Sequence, residues 1–294
     1  MKRRDFAKLT GLGAMAVYTT GFVNFNGRFY EGDCQTTTDI LGPFYRPNSP
    51  VRNNLVIKDM PGDVVELSGV VRQRDCITPQ KGAKVELWHC SADQVYDNDS
   101  DEFLYRGTTF CDNHGKYSFL TQMPVPYEVG GGIYRPAHFH LMISAPGYQN
   151  LITQIYFTGD PYLDKDSSSA AAEAKSRILN FSESGGRKGL LFDVNMGKKL
   201  GASFAALKQL VGKYKDDKSG RIIELFHSEG LLWMKNEVYG KCYEYIGDNT
   251  FTFPGTSTGT YEKLKFDLKG AEAKLTLKTK GNASGERIRT FTKI

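Results

Sequence analysis

From Val64 onward the chain alternates short β-branched and aromatic runs with turn signals: VVELSGVV, AKVELWH, DNHGKYSFL, AHFHLMIS and LITQIYF. Apolar and polar positions in these runs tend to change with period two, the repeat of a strand whose two faces meet different surroundings. Short runs separated by Gly, Asn, Asp and Pro predict an antiparallel β-sandwich or barrel rather than βαβ units. DNHGK predicts a hairpin turn and makes His114 an ordinary turn residue. After Asp166, SSSAAAEAKSRIL predicts a short helix, with serine available to cap it and alanine favouring it. The pattern shifts after VNMGKKLGA. ASFAALKQLVGKY predicts a helical turn, and RIIELFH, LLWMKNE, CYEYIG, TFTFPG, LKFDLK, KLTLKTK and RIRTFTK then predict a small, separate β-barrel or roll. The expected fold is all-β: an antiparallel sandwich over residues 34–200 with short helices, and a C-terminal β module over 201–294.

Within AHFHLMIS, period two puts His138, His140 and Met142 on one strand face and Phe139, Leu141 and Ile143 on the other. If the second face packs into a core, the two imidazoles are presented together into a cleft or toward solvent, as half of a metal site would be. Zinc, copper or iron could use such a pair, and His-x-His also occurs on strands that bind nothing.

With 294 residues, 40% of them hydrophobic and 12% aromatic, the chain can bury one large core or two ordinary ones. No run reaches the length of a membrane-spanning helix, so an integral membrane protein is not expected. Lys2, Arg3, Arg4 and Lys8 against Asp5 supply +3 of the formal charge of +5, which leaves no dense basic block and makes nucleic acid a poor partner. The start, MKRRDFAKLTGLGAMAVYTTGFV, has Arg3-Arg4 directly before an apolar Gly/Ala-rich run. It resembles a twin-arginine export signal, so residues 1–33 are expected to be signal and linker and the protein exported, to the periplasm. The five cysteines contain no C-x-x-C pair. One or two disulfides with a thiol left over are expected, with Cys90 and Cys111 read as small buried apolar residues.

Six segments occur in order: Gly42 to Tyr45 (GPFY), Gly82 to His89 (GAKVELWH), Asp112 to Phe119 (DNHGKYSF), PVPY ending at Tyr127, RPAHFH from Arg135, and TQIYF from Thr153. This set, over roughly residues 36–197, resembles the intradiol ring-cleavage dioxygenases, the family of catechol 1,2- and protocatechuate 3,4-dioxygenases. The resemblance implies a β-sandwich and a non-haem iron(III) held by Tyr96, Tyr127, His138 and His140, with Tyr127 and His140 axial and Tyr96, His138 and a hydroxide equatorial. Two phenolate oxygens suit a trivalent ion better than zinc, and a phenol of pKa near 10 ligates at neutral pH only under a strong Lewis acid. It further implies that a small aromatic diol binds through both oxygens and that Tyr127 serves as a base. Arg135 would stabilise negative charge on the ring, Gln154 would lie beside the substrate, and O2 would enter between the two hydroxylated carbons to give a cis,cis-muconate-type diacid.

No nicotinamide or flavin motif is present, in keeping with a reaction that needs no reductant. His89 reads as a core histidine. Tyr45, Tyr105, Tyr117, Tyr134, Tyr148, Tyr156 and Tyr162 read as packing aromatics. Two places depart from the family pattern, Cys90-Ser91 where Ala-Asp is common and the run Gly130 to Gly132. Both bear on the choice among catechol, protocatechuate and hydroxyquinol, which stays open, as does a homo-oligomer. The C-terminal module resembles the small β modules appended to some secreted hydrolases. The alternatives are a zinc or copper enzyme built on the two histidines, which needs a further His, Cys or carboxylate, and an exported binding module that kept the fold alone.

Overall fold

The period-two runs form two sheets in a computed structural model that describes residues 23–25, 30–32, 34–184, 187–197, 202–228, 230–253, 260–270, 272–281 and 285–294. One sheet contains β4 (Lys84–Trp88), β5 (Arg106–Phe110), β9 (His138–Ser144), β10 (Leu151–Phe157) and β11 (Ile178–Leu179), in the order β11-β10-β9-β4-β5. The other is built around β3 (Val64–Arg72), paired antiparallel with β6 (Lys116–Gln122) and in parallel with β13 (Arg187–Leu191) and β14 (Val194–Asn195), while β12 (Ser182–Ser184) flanks β13. Two ribbons, β1 (Val23–Phe25) with β2 (Tyr30–Gly32) and β7 (Tyr127–Glu128) with β8 (Tyr134–Arg135), accompany them. Alternate residues of both sheets meet in one core that includes Val65, Leu67, Val85, Leu87, Phe119, Phe139, Leu141, Ile143 and Ile155. Each such side chain contributes roughly 1.5–3 kcal/mol through burial. Their neighbours in sequence are thereby turned to the outer face of the β4–β9–β10 sheet, where the histidines lie.

Three expectations need correction. Asp112 to Lys116 does turn tightly, with Gly115 N–H donating to Asp112 O at 3.1 Å, but β5 pairs with β4 and β6 with β3. The turn is therefore a crossover between sheets and not a hairpin. The helix expected after Asp166 is a 3-10 segment, Ala172–Arg177, preceded by turns. Ser169 N–H donates to Asp166 Oδ2 while Arg177 is drawn into a buried ion pair, so tertiary contacts override the helix preference of the alanines. One disulfide, Cys34–Cys76, is within the expected one or two, and Cys90 and Cys111 are buried as expected, but with Cys242 three thiols are left and not one. Of the expected export signal and linker over residues 1–33, only 23–25 and 30–32 are among the described residues, and Arg3-Arg4 with the apolar run after it lies outside them. Among the described residues no helix is long and apolar enough to cross a membrane.

The C-terminal strands β15 (Gly212–Asp216), β16 (Ile222–Ser228), β17 (Leu231–Lys235), β18 (Gly240–Gly247), β19 (Thr250–Thr252), β20 (Tyr261–Asp267), β21 (Lys274–Lys280) and β22 (Arg287–Lys293) close into a barrel through the β15–β22 pairing. Closure removes the unpaired edges that a short sheet would expose. Inside, Tyr214, Leu225, Leu232, Tyr243, Phe251, Leu264, Phe266, Leu275 and Phe291 pack with Leu207 and Leu210 of α1 (Phe204–Leu210). Ser203 caps that helix by accepting from Ala206 N–H at 3.2 Å.

On β17 and β18 the alternate residues Leu231, Trp233 and Cys242 are also buried, but against the sandwich. Glu244 follows the same alternation; its carboxyl accepts from Gln149 of the sandwich, and its Oε1 is buried without a partner among the described residues. Burial pushes the Glu244 pKa up to about 7, the Gln149 contact opposing it. A raised carboxyl pKa favours the native state fully below the unfolded value near 4.5, and that contribution is lost as pH rises through about 7. Glu244→Gln should therefore resist denaturant better than wild type at pH 8, by up to about 3 kcal/mol, and match it near pH 4.5. Urea unfolding of both proteins across that range checks the sign; a constant difference would remove Glu244 as its source.

Candidate metal centre

Strand register assembles the site. In the β4–β9–β10 sheet, Trp88, His140 and Gln154 are direct neighbours across three strands, and His138 pairs with Tyr156. Directly opposed residues share a face, so these side chains form two adjacent rows outside the sandwich core. His138 and His140 are each 1% exposed, so the imidazoles lie inside the protein and not in an open cleft. The adjoining loops cover them.

One loop, between β4 and β5, delivers Tyr96. Asp97 staples it by accepting from Ser100 N–H at 2.9 Å and Leu104 N–H at 2.6 Å, while Arg106 Nε–H donates to Asp97 O at 2.7 Å. Ser91, one of the two departures from the family pattern, accepts from Asp93 N–H at 3.1 Å and helps turn the chain; Cys90 packs in the same cluster as Tyr96 and Tyr127. A second loop carries Tyr127 on β7, opposite Arg135 on β8. Gly130, Gly131 and Gly132 join that ribbon with φ of 107°, 64° and 76°, a left-handed course that glycine alone takes without strain.

Three donor atoms converge. Tyr96 Oη is 3.0 Å from His140 Nε2 and 3.4 Å from His138 Nε2, and the two Nε2 atoms are 3.1 Å apart. His138 Nδ1–H donates to Pro136 O at 2.6 Å, which leaves the Nε2 lone pair turned inward. Burial, reinforced by the neighbouring charge of Arg135, holds His138 well below the ordinary imidazole range, and burial beside His138 does the same for His140. Both are therefore neutral at pH 7. Burial, with Tyr127 next to it, holds the Tyr96 phenol well above 10; for Tyr127 burial also raises the pKa, but Arg135 opposes the shift. The Tyr127 ring centroid is 5.7 Å from that of Tyr96 and 5.6 Å from that of His138.

This donor set fits a metal ion. Ligands ~2.1 Å from one first-row ion at roughly right angles stand about 3.0 Å apart, close to the separations seen here. Two neutral imidazoles and two phenols match a hard, highly charged ion able to ionise the phenols. Among the described residues no three His, Cys, Asp or Glu side chains gather into a group that would suit zinc.

Arg135 is fixed beside this centre. Its Nη2–H donates to Gln154 Oε1 at 2.8 Å and lies 3.3 Å from Tyr156 Oη, and its Nε is 2.8 Å from Asp166 Oδ1. Gln154 Nε2–H donates to Ile40 O at 2.6 Å. Tyr156 Oη is 2.9 Å from Asp39 Oδ2, and Asp39 is in turn ion-paired to Arg177, whose Nη1–H also donates to Gln154 O at 2.9 Å. Sequence reasoning named Arg135 and Gln154, took Tyr156 for a packing ring and did not single out Asp39, Asp166 or Arg177. The signal available for Tyr156 was its period-two relation to Gln154. His89 is a core histidine as expected, hydrogen-bonded to Thr121 Oγ1 at 2.8 Å.

The GPFY segment lines the remaining side, and Gly42, Phe44 and Tyr45 each have a separate reason to be there. Gly42 has φ of 74°, strained for a residue with a side chain, and a Cβ on it would lie 3.1 Å from His140 Cε1, tight enough to push on the imidazole. Phe44 stacks on Tyr96 with centroids 4.3 Å apart. Tyr45 meets Trp88 edge-on at 5.2 Å, and Trp88 stacks on His140 at 4.9 Å with the planes 7° apart.

A dioxygenase family profile (Dioxygenase_C) matches residues 40–198. Chlorocatechol 1,2-dioxygenase of Rhodococcus opacus is 35% identical over 183 residues, which is 54% of this chain and 71% of that protein. Catechol 1,2-dioxygenase of Candida albicans is 39% identical over 158 residues, 47% of this chain and 52% of that protein. Among solved structures, catechol 1,2-dioxygenase from Pseudomonas arvilla C-1 superposes with a TM-score of 0.51 at 25% identity, covering 69% of this chain and 70% of that one.

Proposed function

Because the chain belongs to the intradiol ring-cleavage dioxygenase family, we propose that it cleaves a catechol-type diol between its two hydroxylated carbons with O2, giving a cis,cis-muconate-type diacid. Both oxygen atoms enter the product, so no external reductant is consumed. The observation that carries this reading is the convergence of Tyr96 Oη, His138 Nε2 and His140 Nε2 within 3.4 Å of one another beside Tyr127. Tyr96, Tyr127, His138 and His140 would hold iron(III), the metal of the family. Bound there, the ion would supply the Lewis acidity that ionises phenols and diols at neutral pH.

The protein's own part follows from the geometry. His138 is held in one tautomer by Pro136 O. Tyr127 sits beside Arg135, whose charge favours the phenolate, and as a phenolate it can take a proton from an incoming diol. Arg135, held by Gln154 and Asp166, presents fixed positive charge toward a ring that becomes anionic. Trp88, Phe44 and Tyr45 keep water from the histidine side.

Oxygen uptake with a panel of catechol, protocatechuate, hydroxyquinol and chlorinated catechols, without reductant, tests the activity. One O2 per diol, with a muconate-type ultraviolet absorber formed in step, is expected; iron-loaded protein inert toward every vicinal diol would contradict it. The Arg3-Arg4 segment supports a further proposal, export to the periplasm, which fractionation of cells producing an Arg3→Lys, Arg4→Lys variant would test.

A further inference from the structure

The barrel touches the site through aromatic rings. Trp233 on β17 is fully buried, yet it lies outside the barrel core, since Leu232 points inward and Trp233 points to the sandwich. Its ring stacks on Tyr45 with centroids 5.5 Å apart and planes at 19°. Tyr45 in turn meets Trp88, and Trp88 lies flat on the His140 imidazole. Phe226 and Tyr239 pack behind Trp233, with Tyr239 edge-on to both Tyr45 and Trp233. The Trp233 indole is itself pinned, its Nε1–H donating to Ser228 O at 2.9 Å. Barrel and sandwich residues thus form one apolar cluster, which contains Tyr96 and Tyr127 as well.

We infer that the C-terminal barrel is a wall of the catalytic site, and that Trp233 is a positioning residue which fixes the His140 imidazole through Tyr45 and Trp88. The inference rests on the metal reading above and extends it to a part of the chain outside the dioxygenase match at 40–198. The physical basis is dense packing. The Nδ1 of His140 is buried with no hydrogen-bond partner among the described residues, so no polar contact from them on that side holds the ring in plane. Ligating histidines ordinarily have such a partner. Here the orientation of the imidazole depends on the flat contact with Trp88 and on what stands behind Trp88. Removing the Trp233 ring empties the far end of that stack.

The test compares Trp233→Ala, Trp233→Phe and Phe266→Ala in the full chain. Phe266 belongs to the barrel interior and serves as a control for barrel destabilisation alone. Trp233→Ala should shift the tyrosinate-to-iron absorption band and speed iron loss to a chelator about tenfold, in the range found when support of a metal ligand is removed. Trp233→Phe should restore both, and Phe266→Ala should lower the melting temperature without moving the band. A wild-type band and wild-type iron loss in Trp233→Ala would overturn the inference, as would Phe266→Ala reproducing its changes. Wild-type protein that takes up no iron would instead refute the metal assignment. The coupling is then read in metal-free protein, where Trp233→Ala should shift and broaden the His140 Cε1–H resonance, and an unchanged resonance would overturn it.

Discussion

Tyr96→Phe should purify as a folded protein with its visible band shifted or bleached and its activity reduced by at least ~100-fold, since even removing a partner of a metal ligand costs 10–100-fold. The substitution deletes one oxygen and keeps the ring that stacks on Phe44, so packing is preserved. That oxygen is the atom within 3.4 Å of both imidazole nitrogens. Tyr127→Phe should behave differently. Tyr127 stands on the short β7–β8 ribbon beside Arg135 and has its pKa rise opposed by that charge. Its proposed task is to receive a proton, so iron should be retained while diol binding slows. Iron content, absorption and stopped-flow binding of a diol separate the two; identical effects from both substitutions would contradict the division of labour.

Arg135→Met should lower kcat by roughly 10²–10³-fold, the usual cost of deleting a preorganised charge at a centre of developing negative charge. It would also strand Asp166, whose carboxylate is 7% exposed and lies 2.8 Å from Arg135 Nε. An uncompensated buried charge is destabilising by several kcal/mol. The informative protein is therefore Arg135→Met with Asp166→Asn, which removes that charge and retains the fold for comparison. Its iron content and absorption should stay near wild type while kcat remains depressed. Arg135→Lys is not a substitute, because Nε and Nη2 serve Asp166 and Gln154 separately and an ammonium offers one point of charge. Wild-type turnover in the double variant would remove Arg135 from the reaction.

What was legible in the sequence was whatever depends on a local repeat. The alternation in AHFHLMIS placed Phe139, Leu141 and Ile143 in the core and His138 and His140 on the opposite face, as the structure has them. The all-β class followed from the same period, as did a C-terminal barrel or roll, between which the β15–β22 pairing decides. What was hidden depends on register between distant segments. Asp39 and Tyr156 are 117 positions apart and Arg177 is 138 from Asp39, and neither separation leaves a local pattern. The Asp112 turn has the composition of a hairpin, yet which sheet each flanking strand joins is decided by long-range pairing. GPFY stood out as a motif, but the reason for its glycine is visible only once His140 Cε1 lies 3.1 Å from where a Cβ would be. The barrel, expected to be a separate satellite, is joined to the site because Leu231, Trp233 and Cys242 on the outward side of β17 and β18 are apolar and Trp233 stacks on Tyr45.

The central claim is that Tyr96, Tyr127, His138 and His140 hold iron(III). It is tested most directly by metal analysis and visible absorption of protein purified without chelator. About one iron per chain and a broad visible band from tyrosinate-to-iron charge transfer are the predicted result. Stoichiometric zinc, no iron and a colourless protein would contradict it.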